Sequence, residues 1–171
     1  MAKEKVSGSN IFYQQNIQTN KKGKENFMCP ATASKRYEQL EHVGDIRIKV
    51  FGDTIEGLFI NAGFALFDIM VTGEKIKNEF AETVVVSGID REELIVNWLA
   101  ELNYLFITES KIFNRFEIEQ LTDTELRATV LGEKFNPHFH EIKNEIKAVT
   151  FHDLEITEKK KKLETKIVFD I

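Results

Sequence analysis

Two stretches of this 171-residue chain place apolar residues at helical spacing, and each opens on an Asp-x-x-Glu pair. The first pair is Asp53-Thr54-Ile55-Glu56 and the second is Asp90-Arg91-Glu92-Glu93. An aspartate there accepts the unpaired N–H groups of a first helical turn, and the glutamate three residues on favours the same end. The stripe after the first pair is Ile55, Leu58, Phe59, Ala62, Leu66, Ile69 and Met70, with Gly73 as the expected stop. The stripe after the second is Leu94, Ile95, Trp98, Leu99, Leu102, Leu105 and Phe106. Both read as faces turned to a core rather than as cofactor boxes.

Around these helices the pattern has period two, the mark of half-buried strands. Residues 36–40 and 45–51 read as two strands, the second with Ile46, Ile48 and Val50 on one side and Asp45, Arg47 and Lys49 on the other. Residues 82–87 form a third. Residues 112–120 and 125–131 make a hairpin about Thr122-Asp123-Thr124, and 145–157 with 163–171 make a second across the charged connection at 158–162. The order ββαβαββββ lacks the strand–helix alternation of a parallel sheet. It predicts an α+β domain, mostly antiparallel sheet with two amphipathic helices packed on it.

Composition narrows the class. Apolar residues make up 42% of the chain, enough for a sizeable single core, and most of the 14 phenylalanines should pack into it. A net charge of −5 gives the whole molecule no field with which to hold nucleic acid. One cysteine, Cys29, rules out a disulfide framework and a cysteine-based zinc site. No apolar run approaches a bilayer span, and none follows Lys3 and Lys5 as a signal peptide would require, so the chain reads as cytoplasmic and free of membranes. Residues 1–34 are rich in Lys, Asn, Gln, Ser and Gly and read as a flexible polar extension, its lysines solvated; residues 35–171 read as the folded domain.

The candidate chemistry lies at strand ends. The run 163–171 alternates up to its last residues, Asp170 and Ile171, so a side-chain carboxylate stands beside the chain's own carboxylate. Hard oxygens of this kind suit calcium, magnesium or manganese. Asp45, in His42-Val43-Gly44-Asp45-Ile46, sits on the polar face of its strand as Asp170 does on its own; if those strands are neighbours, the carboxylates converge. Two carboxylates sharing a site repel, and a dication removes that penalty. The competing reading makes Asp45 a strand-end cap and Asp170 a solvated terminus. His42 could orient the backbone or hold Asp45 from behind. Lys147, within 145–157, could hold a phosphate or a partner's carboxylate, or be a solvated strand lysine. His138 and His140 read as loop structure beside Pro137, and His152, alternating with Leu154 and Ile156, as a buried, satisfied histidine. A glycine-rich phosphate loop, a serine or cysteine nucleophile arrangement and an RNA-binding aromatic signature are all missing.

Five segments together resemble a known family. Tyr37-Glu38-Gln39-Leu40-Glu41-His42-Val43-Gly44-Asp45-Ile46 is similar to the opening motif Y-E-x-x-x-H-T-A-D-I of the archease family. Asn97-Trp98-Leu99-Ala100-Glu101-Leu102-Asn103-Tyr104-Leu105-Phe106 resembles its second-helix signature, and Gly132-Glu133-Lys134-Phe135-Asn136-Pro137 with Glu145-Ile146-Lys147-Ala148-Val149-Thr150-Phe151-His152 resembles its G-E-x-x-D-x-x and K-A-V-T-Y-H segments. Val168-Phe169-Asp170-Ile171 is similar to the family's ending. Val43-Gly44 stands where the family has Thr-Ala or Thr-Ser, Phe151 where it has Tyr, and Asn136 where it has Asp.

The resemblance implies a non-catalytic accessory protein of the RtcB-type RNA ligase of tRNA splicing. Such a protein promotes guanylylation of the ligase and so its repeated turnover. It implies a divalent metal, often assigned as calcium, on Asp45, Asp170 and Ile171, with Lys147 on the active surface facing the partner's nucleotide; His42 keeps the place behind Asp45 that its position suggests. The RNA would be held by the ligase, without sequence-specific binding by this chain. A stand-alone metal-dependent phosphoesterase or nuclease, and a general chaperone or binding module, are the alternatives.

Overall fold

The computed structural model describes residues 35–40, 44–152 and 154–171. The expectations for residues 1–34 and for His42 lie outside them. In chain order the elements are β1 (Tyr37–Leu40), β2 (Asp45–Gly52), α1 (Ile55–Met70), β3 (Val71–Gly73), β4 (Phe80–Ser87), α2 (Arg91–Glu109), β5 (Lys111–Leu121), β6 (Glu125–Lys134), β7 (His140–Ile142), β8 (Ala148–Thr150), β9 (Thr157–Lys159) and β10 (Lys162–Asp170). They form a five-stranded sheet in the order β1-β2-β10-β8 with β9 also on β10, a β3–β7 pair, and a three-stranded sheet β4-β6-β5. Every pairing is antiparallel, so the expected α+β class holds.

The core forms where the two helical stripes meet the sheets. α1 packs against β2 and β5, bridging the larger sheets, and α2 packs on α1, β4 and β8. Trp98, Phe59, Phe113 and Phe169 are fully buried between them. The Trp98 indole N–H donates to the Phe59 carbonyl at 3.2 Å, so the largest core side chain leaves no polar atom unpaired. Edge-to-face rings, Phe67 on Phe113 at 5.5 Å and Trp98 on Phe116 at 5.9 Å, fill the space between helices and sheet.

Local details correct the sequence reading in four places. The cap of α1 is Thr54, whose hydroxyl accepts from Gly57 N at 3.1 Å, and not Asp53; two adjacent capping residues compete there, and the one whose oxygen reaches the third helical N–H wins. At α2 the aspartate is the cap, with Asp90 Oδ1 accepting from Glu93 N at 2.8 Å. Gly73 does not stop α1; the helix ends at Met70, and Gly73 lies in β3 at φ +123°, where a Cβ would fall 2.2 Å from the Phe139 carbonyl. The expected strand 145–157 is two short strands, both on β10. Between them the chain leaves the sheet, held by Leu154 N on Phe151 O at 3.2 Å and by Ile156 N on the Glu92 carboxylate at 3.1 Å. His152 sits in that excursion and is exposed, not buried as its alternation with Leu154 and Ile156 suggested.

Candidate functional site

The core itself sets the register that builds the site. Ile46 faces Phe169, Ile48 faces Ile167 and Val50 faces Thr165 across β2 and β10, all buried. A slip of one residue would turn this set outward and bury the charged face, so the register is strongly specified. The same register brings Asp45 directly opposite Asp170 at the end of the ladder. Opposed residues share a sheet face with Cβ atoms about 5 Å apart. Two aspartates 125 positions apart in sequence are therefore neighbours, Asp170 exposed and Asp45 half-buried.

Lys147 joins them from β10's other side. Ala148 is the partner of Asp170 in β8, and the Lys147 N–H donates to the Asp170 carbonyl at 2.8 Å. Its ammonium donates to the Ile171 carbonyl-end oxygen at 2.9 Å. Lys147 stands one residue before β8, and both helices hold its approach. Lys143 N donates to the Met70 carbonyl at 2.8 Å and the Asn144 side chain to the Ile69 carbonyl at 2.8 Å, closing the C-terminus of α1. Ile146 is buried, and its carbonyl accepts from the Asn103 side chain of α2 at 3.0 Å. A cation is thus set beside an acidic pair by contacts that run back to the core.

Asp45, Asp170, Ile171 and Lys147 are brought together; the other candidates are not. His138 is exposed, its N–H donating to Asn136 Oδ1 at 3.0 Å. His140 is buried, its Nδ1 accepting the Asn136 N–H at 3.2 Å and its Nε2 lying 3.7 Å from Glu133. Glu133 in turn accepts from Lys77 N at 2.5 Å, so this pair braces the 133–140 loop against the 73–80 segment. Among the described residues no group of three His, Cys, Asp or Glu side chains gathers as a metal site would. A cleft of about 340 Å³ lies elsewhere, lined by Phe64, Phe67, Asp68, Phe113 and Asn114. There Tyr37 donates to Asp68, and burial, followed by that carboxylate, raises the phenol's pKa. Sequence reasoning missed Asn103 and Asn144 as supports for Lys147. An asparagine at a buried position of an otherwise apolar helix face, as Asn103 is, was the available signal.

The domain is an α+β fold in which two carboxylates and a lysine share the open end of a sheet. A model of the archease protein family matches residues 37–171. Among curated proteins, the protein archease of Methanosarcina mazei is 37% identical over 141 residues, covering 80% of this chain and 97% of that protein. The protein archease of Pyrococcus abyssi is 40% identical over 126 residues, covering 71% and 88%. Among solved structures, protein 1598 of Methanobacterium thermoautotrophicum superposes with a TM-score of 0.65 at 27% identity, covering 80% of this chain and 99% of that one. A Thermotoga maritima protein described as an archease and possible chaperone shares the fold, with a TM-score of 0.54 at 23% identity over 78% of this chain and 96% of that one. The chain belongs to the archease family.

Proposed function

We propose that this chain is an accessory activator of an RtcB-type RNA ligase, promoting the ligase's guanylylation and repeated turnover through a divalent cation on Asp45, Asp170 and the carboxylate of Ile171. Calcium is the first choice of ion, with manganese and magnesium as substitutes. The observation that carries this reading is the Asp45–Asp170 register with the Lys147 ammonium on Ile171, in a member of the archease family. The donors are all hard oxygens, which fits such a cation. Two side chains and one terminus do not complete a coordination shell, which leaves positions for oxygens of a partner's phosphate. When bound, the cation supplies charge neutralisation, the main need of phosphoryl transfer. Lys147 adds a point charge for a phosphate beside it. The transfer itself belongs to the ligase, and the chain acts as a non-catalytic protein partner.

The test mixes a trace of this protein with a matching ligase and excess cleaved RNA. Ligation that stops after one turnover per ligase contradicts the proposal. Asp45→Ala and Asp170→Ala are expected to abolish stimulation while the fold persists. Residues added after Ile171 are expected to weaken it. The Thermotoga maritima protein is described as a possible chaperone, and that gives a second reading. A general chaperone would suppress aggregation of an unrelated unfolding protein equally well as wild type and as Asp45→Ala.

A further inference from the structure

The sheet face that carries Asp45 and Asp170 continues away from them as a row of cations. On β10 the positions sharing that face with Asp170 are Val168, which is buried, then Lys166, Glu164 and Lys162; on β2 they are Arg47, Lys49 and Phe51, all half-buried. We propose that this row, from the Lys49/Lys166 pair to the Lys159–Lys162 turn, holds the phosphate backbone of a single-stranded nucleic acid.

Two independent features set the row apart from an ordinary solvated face. Lys49 and Lys166 are directly opposed across the ladder, a position where sheets normally avoid like charges. Glu164 offsets Lys49 at 3.4 Å and Lys159 at 2.5 Å, and Asp53 offsets Lys162 at 3.6 Å, while Lys160, Lys161 and Lys166 have no ion pair among the described residues. The second feature is the turn. Lys159 pairs with Lys162, so Lys160 and Lys161 are the two central residues of a tight hairpin, at φ +52° and +65°. Such turns favour Asn-Gly, because side chains are strained at positive φ. Two lysines there hold two unpaired ammonium groups at the tip against the local conformational preference.

The occupant follows from the chemistry of the face. Lysine is depleted in protein interfaces, which centre on aromatic anchors. The exposed apolar residues Tyr104 and Ile107 lie on α2, and Phe139 and Phe151 in loops, not along this row. A flat anionic bilayer would press Asp45, Asp53 and Asp170 against like charge as well. A single phosphate chain can follow the row, which runs about 13 Å along β10 from Lys166 to Lys162 and on to the turn. Phe51, with the Lys49 ammonium 5.8 Å from its ring, offers a stacking surface beside it. The net charge of −5 is an average that conceals this local field.

The experiment uses the full chain in EDTA, so it does not depend on a cation. Fluorescence anisotropy follows a labelled 20-nucleotide single-stranded RNA of mixed sequence between 50 and 200 mM KCl. Wild type should bind with a steep salt dependence. The double variant Lys160→Asn/Lys161→Gly should melt higher than wild type, because it relieves the turn. It should also bind roughly tenfold more weakly at low salt, with the slope of log affinity against log salt reduced by about 1.4. Lys166→Gln should weaken binding in the same direction. Asp45→Ala should bind RNA at least as tightly as wild type, which separates this proposal from ligase activation. Unchanged binding by the double variant, no binding by wild type at 50 mM salt, or tighter binding to phosphatidylserine vesicles than to RNA would each overturn it.

Discussion

Replacing Asp170 with asparagine should change stability in opposite directions with and without a dication. The substitution keeps the shape of the side chain and every backbone bond of β10, so it alters only the charge facing Asp45. Two unit charges separated by the usual Cβ spacing of an opposed pair, about 5 Å, repel by about 0.8 kcal/mol in a watery setting. The Lys147 ammonium at Ile171 offsets part of that, leaving about 0.5 kcal/mol to be regained. For a chain of this size that is a rise of about 1–2 °C in melting temperature, read by differential scanning fluorimetry in EDTA. With a cation at about 100 times its dissociation constant, wild type gains about 2.7 kcal/mol, or about 5–10 °C, because binding favours the folded state. Asp170→Asn loses most of that gain, so the two melting curves should cross over as calcium or manganese replaces EDTA. A variant less stable than wild type in EDTA, or a wild type unmoved by calcium, manganese and magnesium alike, would refute the reasoning.

Three further outcomes are expected. Asn103→Leu removes the bond to the Ile146 carbonyl; it should cost about 1–2 kcal/mol in urea unfolding and reduce ligase stimulation without touching Asp45, Asp170 or Lys147. Phe169→Ala empties a fully buried position opposite Ile46 and should cost about 3–5 kcal/mol, with hydrogen exchange accelerating first at the 167–170 end of β10. Glu164 has its carboxyl pKa lowered, first by its hydrogen bond from Lys159 and further by Lys49. Its contribution is therefore complete above the ordinary carboxylate range and lost as pH falls through the lowered value, so the melting-temperature difference between wild type and Glu164→Gln should be present at pH 7 and shrink progressively as pH falls below the ordinary carboxylate range.

Much of this fold is visible in the spacing of apolar residues. The two helices are, because stripes such as Leu94, Trp98, Leu102 and Leu105 repeat over many turns and all prove buried. The strand faces are too: alternation from Ile46 to Val50 and from Ile167 to Phe169 places both aspartates on the outward side before any pairing is known. The pairing itself is not local information, since β2 and β10 lie more than a hundred residues apart and meet only because both bury the same kind of face. The error at 145–157 has the same origin. Its alternation continues past Thr150, but Glu92 of α2 captures the Ile156 N–H and draws the chain off the sheet. The short β3–β7 pair was invisible because three residues are too few to show a period. Lys147 was legible as a candidate, but its setting depends on Asn103 and Asn144, whose roles appear only once both helices are in place.

The most direct test is a crystal structure of the full chain grown with manganese, with anomalous scattering collected at the metal edge. The account predicts one strong peak between Asp45 and Asp170, about 2.0–2.6 Å from an oxygen of each, and its loss in Asp45→Ala. No peak there, or a peak at another place on the molecule with those carboxylates unliganded, would contradict it.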